Sequence, residues 1–468
     1  MDRSFLDGPA MLIANPRALE IVRRLQARGF GACYAGGCVR DALLGRPADD
    51  IDIATSATPA EVTALFPRTV QVGAHFGVVK VLWEGDEFDV AAFRVDGAYL
   101  DGRHPSSVSF ASPEEDARRR DITINGMFYD PVADRVIDFV GGQADLAARI
   151  VRAIGDPAAR IEEDKLRLMR VVRFAAVLNF AIDPATLAAV REHHAGIRQV
   201  AMERVNEEFS KMLAGPRPAA AMRLLLETGL MGVILPEVTT MAGVEQPPEF
   251  HPEGDVLQHT LLMFDLLEQG LAAGRFRPSL RVALGVLFHD IAKPLTFFRA
   301  DRIRFHGHCE RGATLTEKVL TRLKFPNRTV TEVAALVAQH MRFVEAPHMR
   351  EAKLKRFLRQ DFFDDHLILH YLDCMASHRD LSSFNLCTVK LAEFGRVAVL
   401  KPPLLVNGRD LIALGYTPGP LFREVLEYIE DMQLEGAFGS KEEALAAVRA
   451  AFPAGRGAGT GGSGQDTA

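Results

Sequence analysis

Apolar residues recur at two different periods along the chain, and the change in period separates a mixed region from a helical one. Residues 15–30 carry apolar side chains at helical spacing before a glycine, which predicts a helix. Residues 77–83 and 88–94 are rich in β-branched and aromatic side chains around a short turn, which predicts two strands. From residue 145 onward the spacing is helical. The pattern therefore predicts an α+β head followed by all-α domains.

The chain length also points to several domains. At 468 residues the chain exceeds the usual capacity of one hydrophobic core, so about two to four domains are expected. The predicted units are a head over residues 1–145, a helical neck over 146–214, a helical body over 215–400, a helical tail over 401–453 and a disordered glycine-rich end over 454–468.

Two glycines follow a short apolar run at residues 32–35 and open a predicted helix over 39–44. Gly36 and Gly37 carry no side chains, so the backbone amides at the start of this helix are accessible to an anion. The sequence therefore predicts a phosphate-binding turn here.

Two aspartates follow this turn in a stretch that alternates charged and apolar residues. The alternation predicts a strand on which Asp50 and Asp52 project from one face, about 7 Å apart. Two carboxylates beside a phosphate-binding turn are suited to hold Mg²⁺ bridged to a triphosphate. The alternative is a solvated acidic strand edge. Asp89, on the predicted strand over 88–94, is a third candidate: a base, a further metal ligand or only a surface residue.

A run of three arginines leads into an aspartate and, four residues later, an asparagine. Three adjacent arginines cannot share one helix face, so a solvated helix explains Arg119 and Arg120 poorly. A guanidinium fork donating to a triphosphate explains them better, with Asp121 orienting the fork or meeting a ribose hydroxyl.

These stretches resemble the signature of the class II tRNA nucleotidyltransferase and bacterial poly(A) polymerase family, within the polymerase-beta-like superfamily. The resemblance is carried by the Gly-Gly turn, the Asp-x-Asp pair, the Arg-Arg-Asp run and a downstream Thr-x-Asn. It implies a polymerase-beta-like head with a mixed sheet, and a working lid over residues 96–112. The nucleotide-binding residues that it implies in the head are Gly36, Gly37, Arg40, Arg119, Arg120, Asp121 and Asn125.

A charged stretch of the predicted neck is the candidate for base selection. It places four charged residues three apart: Asp164, Arg167, Arg170 and Arg173. This spacing predicts neighbours on one helix, and a salt-bridged solvent face is one explanation. The functional explanation is recognition of a base. Adenine and cytosine both offer an amino donor beside a ring-nitrogen acceptor, and a carboxylate and a guanidinium match this order. The family's Glu-Asp-x-x-Arg motif implies that Asp164 and Arg167 read the base, with Arg170 and Arg173 towards ribose and phosphate.

The predicted body contains ten of the fourteen histidines, and several follow a metal-ligand order. The candidates are His259, His289, Asp290 and Asp373, with His308 and His340 as weaker ones. A buried His-Asp pair is costly unless something satisfies it, and a metal does so well. The order resembles an HD-type metal-dependent phosphohydrolase domain, which implies a second divalent metal: Mn, Ni, Mg or Fe. The alternative is core histidines satisfied by backbone carbonyls.

Charge and cysteine content narrow the cellular setting. No apolar run approaches the ~20 residues that span a bilayer, and residues 1–7 lack the pattern of a signal peptide. Five scattered cysteines without zinc-type spacing fit reduced thiols, so a cytoplasmic location without membrane contact is expected.

A net charge of -6 argues against indiscriminate nucleic-acid binding. A basic stripe over residues 350–359 is either a solvated helix face or a set of tRNA phosphate contacts.

The implied function is the addition of C, C and A to tRNA 3′ ends from CTP and ATP without a nucleic-acid template. One alternative is an enzyme that adds only A to tRNA, or a poly(A) polymerase. Another makes the HD-type body the main activity, acting on 2′,3′-cyclic or 2′-phosphates of RNA ends. A third is an RNA-binding protein with an inactive head. The sequence predicts no oligomeric state.

Overall fold

The computed structural model describes residues 15–48, 50–71, 77–96, 108–395, 400 and 402–453. Most of the predicted lid over 96–112 lies outside the described residues, and so does the whole predicted disordered end over 454–468. No helix within the described ranges is long and apolar enough to cross a bilayer.

The head is built on a mixed β-sheet. Its strands are β1 (Ala32–Ala35), β2 (Asp52–Thr55), β3 (Thr69–Val70), β4 (Val78–Trp83), β5 (Asp86–Ala92), β6 (Arg94–Asp96), β7 (Val108–Phe110), β8 (Met127–Asp130) and β9 (Arg135–Asp138). In the described part of the chain, seven of them form one sheet in the order β3-β4-β5-β2-β1-β8-β9, and β6 pairs with β7. β2 and β5 run parallel, whereas the other neighbours are antiparallel. The predicted mixed sheet is confirmed.

Helices cover the sheet of the head. They are α1 (Pro16–Ala27), α2 (Gly37–Leu43), α3 (Pro59–Leu65), α4 (Pro113–Arg118) and α5 (Gly142–Ala148). The apolar face of α1 is fully buried, as its periodicity predicts: Ile21, Val22 and Leu25 are inaccessible to solvent. Tyr34 of β1 and Tyr129 of β8 lie 6.2 Å apart, ring centre to ring centre, in the same core.

The neck contains a break where the sequence predicted one helix. Its elements are β10 (Ile150–Val151), α6 (Pro157–Glu163), α7 (Arg167–Leu178), β11 (Ala181–Ile182), α8 (Pro184–His193) and α9 (Met202–Leu213). The prediction that Asp164 shares a helix with Arg167 is wrong, because α6 ends at Glu163 and α7 begins at Arg167. Asp164 has extended backbone dihedrals, and its carbonyl accepts from the Arg167 amide at 2.9 Å.

The body is helical apart from one hairpin. Its helices are α10 (Pro218–Glu227), α11 (Leu230–Ile234), α12 (Pro236–Thr239), α13 (Val256–Ala272), α14 (Leu280–Phe288), α15 (Lys293–Thr296), α16 (His308–Arg322), α17 (Asn327–Gln339), α18 (Glu351–Leu358), α19 (Phe363–Ala376) and α20 (Ser382–Phe394). The hairpin pairs β12 (Phe297–Arg299) with β13 (Ile303–Phe305). One cluster of buried apolar residues runs from Ala18 in the head to Ala376 in the body. The domain boundaries assigned from sequence stay predictions.

The tail has its own core and docks through ion pairs. Its helices are α21 (Gly408–Ala413), α22 (Pro420–Leu434) and α23 (Lys441–Ala451). Arg356 and Arg359 of the basic stripe both donate to Glu430, and Lys355 Nζ donates to the carbonyl of Leu434 at 2.6 Å. These three side chains therefore hold the tail against the body.

Candidate functional site

Three carboxylates gather at one end of β2 and β5. The parallel register pairs Ile53 with Val90, which sets Asp52 beside Asp89 one residue earlier. Ile53 and Val90 are both buried, so the two aspartates face the opposite side of the sheet. The prediction that Asp50 belongs to the strand is wrong: β2 begins at Asp52, and Asp50 lies in a bend before it.

The electrostatics of Asp52 show that the three carboxylates interact. Loss of hydration and the negative charges of Asp50 and Asp89, against the opposing charge of Arg120, together raise the pKa of Asp52 to about 6. Lys80 Nζ lies 3.4 Å from Asp89 Oδ1 across the β4–β5 pair. Crowded like charges of this kind favour a bound cation, as oxygen-rich Mg²⁺ sites do.

The predicted phosphate-binding turn adjoins these carboxylates. Gly36 precedes α2 with φ +74°, a conformation that disfavours any other residue. A Cβ at Gly36 would lie 2.9 Å from Nη1 of Arg120, so the glycine also makes room for this guanidinium. Gly37 is the first residue of α2.

Asp116 organises the arginine run, and sequence reasoning missed it. It is almost fully buried on α4 and accepts from Nη2 of Arg119 at 2.7 Å and from Nη2 of Arg120 at 3.0 Å. Its spacing of three and four residues before these arginines is the helical pairing distance, and that was the available signal.

A buried relay connects the turn to the neck. Arg40 Nη1 donates to Asn125 Oδ1 at 2.6 Å, and Asn125 Nδ2 donates to Asp121 Oδ1 at 3.3 Å. Asp121 Oδ2 in turn accepts from Arg170 Nε at 2.7 Å. Burial alone would raise the pKa of Asp121, but the charge and hydrogen bonds of Arg170 outweigh it and lower the pKa. Asp121 is therefore an ionised link between head and neck.

The base-reading pair predicted from sequence is not a pair in the structure. Asp164 accepts from both Nη atoms of Arg204, at 3.2 and 2.7 Å, and from the Leu166 amide at 3.0 Å. Arg167 donates instead to Glu163 at 2.6 Å and to the carbonyl of Arg119 at 3.0 Å. Asp164 and Arg167 are thus each held by a different partner.

Helix α9 supplies the partner of Asp164 and a carboxylate for Arg170 and Arg173. Glu208 lies four residues after Arg204 and is buried, with Oε2 at 2.5 Å from Arg173 Nε and Oε1 at 3.6 Å from Arg170 Nη1. The guanidinium of Arg173 also lies 4.0 Å from the ring centre of Phe174. Sequence reasoning named neither Arg204 nor Glu208, although their i, i+4 spacing on a helix was visible.

A second site lies in the body, where histidine side chains converge. Three ring nitrogens contact the backbone carbonyl three residues earlier: His289 Nδ1 with Val286 at 2.9 Å, His308 Nδ1 with Phe305 at 2.8 Å and His340 Nδ1 with Val337 at 2.8 Å. Because a carbonyl only accepts, each Nδ1 carries a proton, so that Nε2 presents a lone pair wherever the ring is neutral. We call these three residues, with His259, Asp290 and Asp373, the histidine cluster.

The free nitrogens of the histidine cluster face carboxylate oxygens. The Nε2 atoms of His289, His308 and His340 lie 3.1, 3.6 and 3.9 Å from Asp290, and His259 Nε2 lies 3.2 Å from Asp373. Burial lowers the pKa of His308, and burial together with the charge of His289 lowers that of His340 to about 4. These two rings are neutral at pH 7, and a lone pair opposite a carboxylate is repulsive without a cation between them.

Unsatisfied buried atoms complete the case for a metal. Within the described ranges, Oδ1 of Asp290, Nε2 of His259 and Nε2 of His289 have no hydrogen-bond partner. Burial would raise the pKa of Asp290, but His289 and Lys293 hold it well below its usual value, so the carboxylate is ionised. The residues fit a divalent cation, and imidazole-rich ligation favours Mn, Ni or Fe over Mg.

The chain matches known families over most of its length. Residues 32–152 match the poly A polymerase head domain, residues 179–241 match the probable RNA and SrmB-binding site of polymerase A, and residues 256–373 match the HD domain. The CCA-adding enzyme of Geobacillus thermodenitrificans is 46% identical over 215 residues, covering 46% of this chain and 53% of the relative. The head and neck therefore contain the two poly A polymerase domains, and the body contains an HD domain.

A second curated CCA-adding enzyme shows the same extent of similarity to this chain. The CCA-adding enzyme of Streptococcus mutans is 46% identical over 200 residues, covering 42% of this chain and 50% of the relative. The matched region thus spans about half the length of these curated relatives.

Solved structures extend the likeness to the whole fold. The Bacillus stearothermophilus CCA-adding enzyme in complex with CTP has a TM-score of 0.69 at 27% identity, over 95% of this chain and 99% of that one. The Thermotoga maritima CCA-adding enzyme complexed with tRNA has a TM-score of 0.60, over 95% and 97%, and at 19% identity this likeness concerns the fold alone.

Replacing Asp290 by Asn tests the metal site. Metal binding stabilises a folded protein by about 2.7 kcal/mol when the free metal is at 100 times its Kd. We therefore expect EDTA to lower the apparent Tm of the wild-type protein and to leave that of Asp290→Asn unchanged. Metal content, measured by inductively coupled plasma mass spectrometry, should fall at least about tenfold in the variant.

The matched control is Asp265→Asn, on the same helix as His259 but paired with Arg223 at the surface. This control should keep both the metal and the response to EDTA. An Asp290→Asn protein with wild-type metal content would contradict the assignment.

Proposed function

We propose that this protein adds C, C and A to the 3′ end of tRNA, using CTP and ATP and no nucleic-acid template. The observation that carries the proposal is the physical connection between the carboxylates and the base-reading residues. Arg167 of the neck bonds to the carbonyl of Arg119, and Arg120, next in the chain, lies beside Gly36 and acts on Asp52. These contacts connect the carboxylates, the phosphate-binding turn and the candidate base-reading residues in one continuous network, as a site for a single nucleotide requires.

The roles of the head residues follow from their charges. Asp50 and Asp52 would hold two Mg²⁺ ions, with Asp89 as a further ligand or as a base. The bound ions supply activation of the primer hydroxyl and charge neutralisation on the triphosphate. Arg120 donates to the triphosphate at Gly36 and Gly37.

Arg40 has a positioning role in this proposal. It is buried and uses Nε and Nη2 on Asp41 and Nη1 on Asn125. Because these contacts fix its side chain, Arg40 braces the turn that faces the phosphates. Asn125 and Asp121 continue that support towards the neck.

Base selection is proposed for Asp164 and Arg167. Arg167 keeps its Nε–H and one Nη2–H after its contacts with Glu163 and two backbone carbonyls. These donors suit the ring nitrogen of cytosine or adenine, while Asp164 accepts from the amino group. Guanine and uracil present the reverse order, which would leave buried polar groups unpaired at about 1–3 kcal/mol each. The B. stearothermophilus relative was solved with CTP, which supports CTP as a substrate.

A tRNA transcript that lacks its 3′ CCA separates the candidate polymerase activities. With labelled CTP and ATP, we expect ordered addition of C, C and A by the purified protein. Addition of A alone, or of long A tails, would instead assign the A-adding or poly(A) alternative. The cytoplasmic location stays a prediction.

Replacing Asp52 by Asn tests the carboxylates in the same assay. Loss of one ligand charge should lower kcat by about 10²-fold or more, because charge stabilisation at the reacting phosphate is lost. Asp86→Asn, at the far end of β5 and paired with Arg17, should keep wild-type activity. Full activity of Asp52→Asn would refute the proposed site.

Replacing Arg204 by Met tests the brace on Asp164. Without its partner, Asp164 is free to pair with Arg167, and that pair would withdraw both groups from the base. We expect the KM for CTP and ATP to rise by about 10-fold or more and incorporation of UTP and GTP to increase. Arg204→Lys should restore part of the selectivity.

A suitable control for this variant is Arg191→Met, because Arg191 pairs with Glu227 on the surface of the neck. It removes the same charge and should not alter base choice. Wild-type selectivity in Arg204→Met would show that Asp164 needs no brace.

The histidine cluster supports a second candidate activity, hydrolysis of 2′,3′-cyclic or 2′-phosphates at RNA ends. The observation that favours it is the convergence of lone pairs on Asp290, which suits a metal that binds a phosphate. Phosphate release from a cyclic-phosphate oligoribonucleotide tests it. Asp290→Asn should abolish release while Asp52→Asn keeps it, and no release by the metal-loaded wild type would exclude the activity.

A further inference from the structure

The hairpin of β12 and β13 exposes aromatic and aliphatic side chains in one short segment. Leu295 is 63% exposed, Phe297 41% and Phe298 56%. Phe297 packs on Phe305 with 6.0 Å between ring centres, whereas Phe298 has no ring contact within the described part of the chain. We call residues 295–305 the aromatic hairpin. Leaving such large apolar groups in water is unfavourable, which marks them as an interaction surface.

Three arginines lie between these aromatic residues in the sequence. The hairpin contains Arg299, Arg302 and Arg304 against one acidic residue, Asp301, so three positive charges minus one negative leave +2. The whole chain carries -6. Arg299 pairs with Glu245 and Arg304 with Asp301, while Arg302 has no ion-pair partner among the residues described. The local charge is therefore opposite to that of the protein.

The aromatic hairpin adjoins the histidine cluster at both ends. Lys293, just before it, contacts Asp290 Oδ2 at 2.6 Å and lies 5.1 Å from the ring centre of Phe305. His308, just after it, has its ring centre 6.5 Å from that of Phe305. The hairpin therefore lies next to the histidine cluster on the face that carries Phe305.

We propose that the aromatic hairpin binds the unpaired end of an RNA strand, with a base stacked on Phe298 and a backbone phosphate on Arg302. Stacking suits any base because every base has a π face, and neighbouring cations suit the backbone. An apolar protein partner would match the phenylalanines but not the arginines between them. The inference rests on the proposed RNA substrate, and it gives the histidine cluster a means to receive RNA ends.

The test uses the full-length protein. Because the head is also expected to bind RNA, the measurement must report binding at the hairpin separately. The probe is a single-stranded oligoribonucleotide of about 12 nucleotides, within the range that such platforms cover. It carries 4-thiouridine next to a 2′,3′-cyclic phosphate end. The yield of photo-crosslinks within residues 297–305, mapped by mass spectrometry over a range of RNA concentrations, reports binding at the hairpin alone.

We expect Phe298→Ala to weaken hairpin binding by about 5- to 100-fold, as loss of one stacked base does. Phe298→Tyr keeps a ring face and should bind like the wild type. Arg302→Ala should reduce the salt dependence of binding. Phe139→Ala, a partly exposed phenylalanine of the head, is the matched control and should leave the crosslinks unchanged.

Three results would overturn the inference. One is an absence of crosslinks within the hairpin, and another is an undiminished yield in Phe298→Ala. The third is a change of solution mass in Phe298→Ala with RNA binding intact, which would assign the surface to a second copy of the chain. Crosslinks without phosphate release would refute the hydrolase and keep the RNA surface, while release without crosslinks would do the reverse.

Discussion

The candidate nucleotide site depends on buried carboxylates that hold arginines in place. Asp116 pairs with the two arginines that follow α4, whereas Asp121 and Glu208 pair with arginines of α7. A flexible arginine loses side-chain entropy when it binds a ligand, and a fixed carboxylate removes part of that loss beforehand. An ionised carboxylate without these partners would be costly to bury, so the two kinds of group require each other.

This mutual requirement explains why the base-reading groups are separated. A direct ion pair between Asp164 and Arg167 would satisfy both and leave neither for a nucleotide. Asp164 pairs with Arg204, and Arg167 pairs with Glu163. Each can still form a hydrogen bond with one more partner. Under the proposed function, base selectivity depends also on Glu163 of α6 and Arg204 of α9, which hold these two groups.

Sequence reasoning reached the elements of the head and the identity of most charged residues, but not their partners. Periodicity located the helix over α1 and the strands β4 and β5, because burial of one face dictates the apolar pattern. It placed Asp50 in a strand and Asp164 in a helix, and both lie at breaks instead. Local pattern describes regular segments well, whereas a break is decided by tertiary contacts such as the pairing of Asp164 with Arg204. The basic stripe over 350–359 was ambiguous for the same reason, since Glu430 is far away in sequence.

The histidine cluster shows why helix ends are favourable positions for histidines that could bind a metal. His289 and His340 directly follow the last residues of α14 and α17, and His308 begins α16. The last carbonyls of a helix have no amide partner within it, so Val286 and Val337 are free to accept from the following histidine. This contact fixes the tautomer and turns Nε2 towards the cluster, without any additional side chain. His259 lies in the first turn of α13 instead, and its Nδ1 uses the carboxylate of Glu253, with Nδ1 to Oε1 at 2.6 Å.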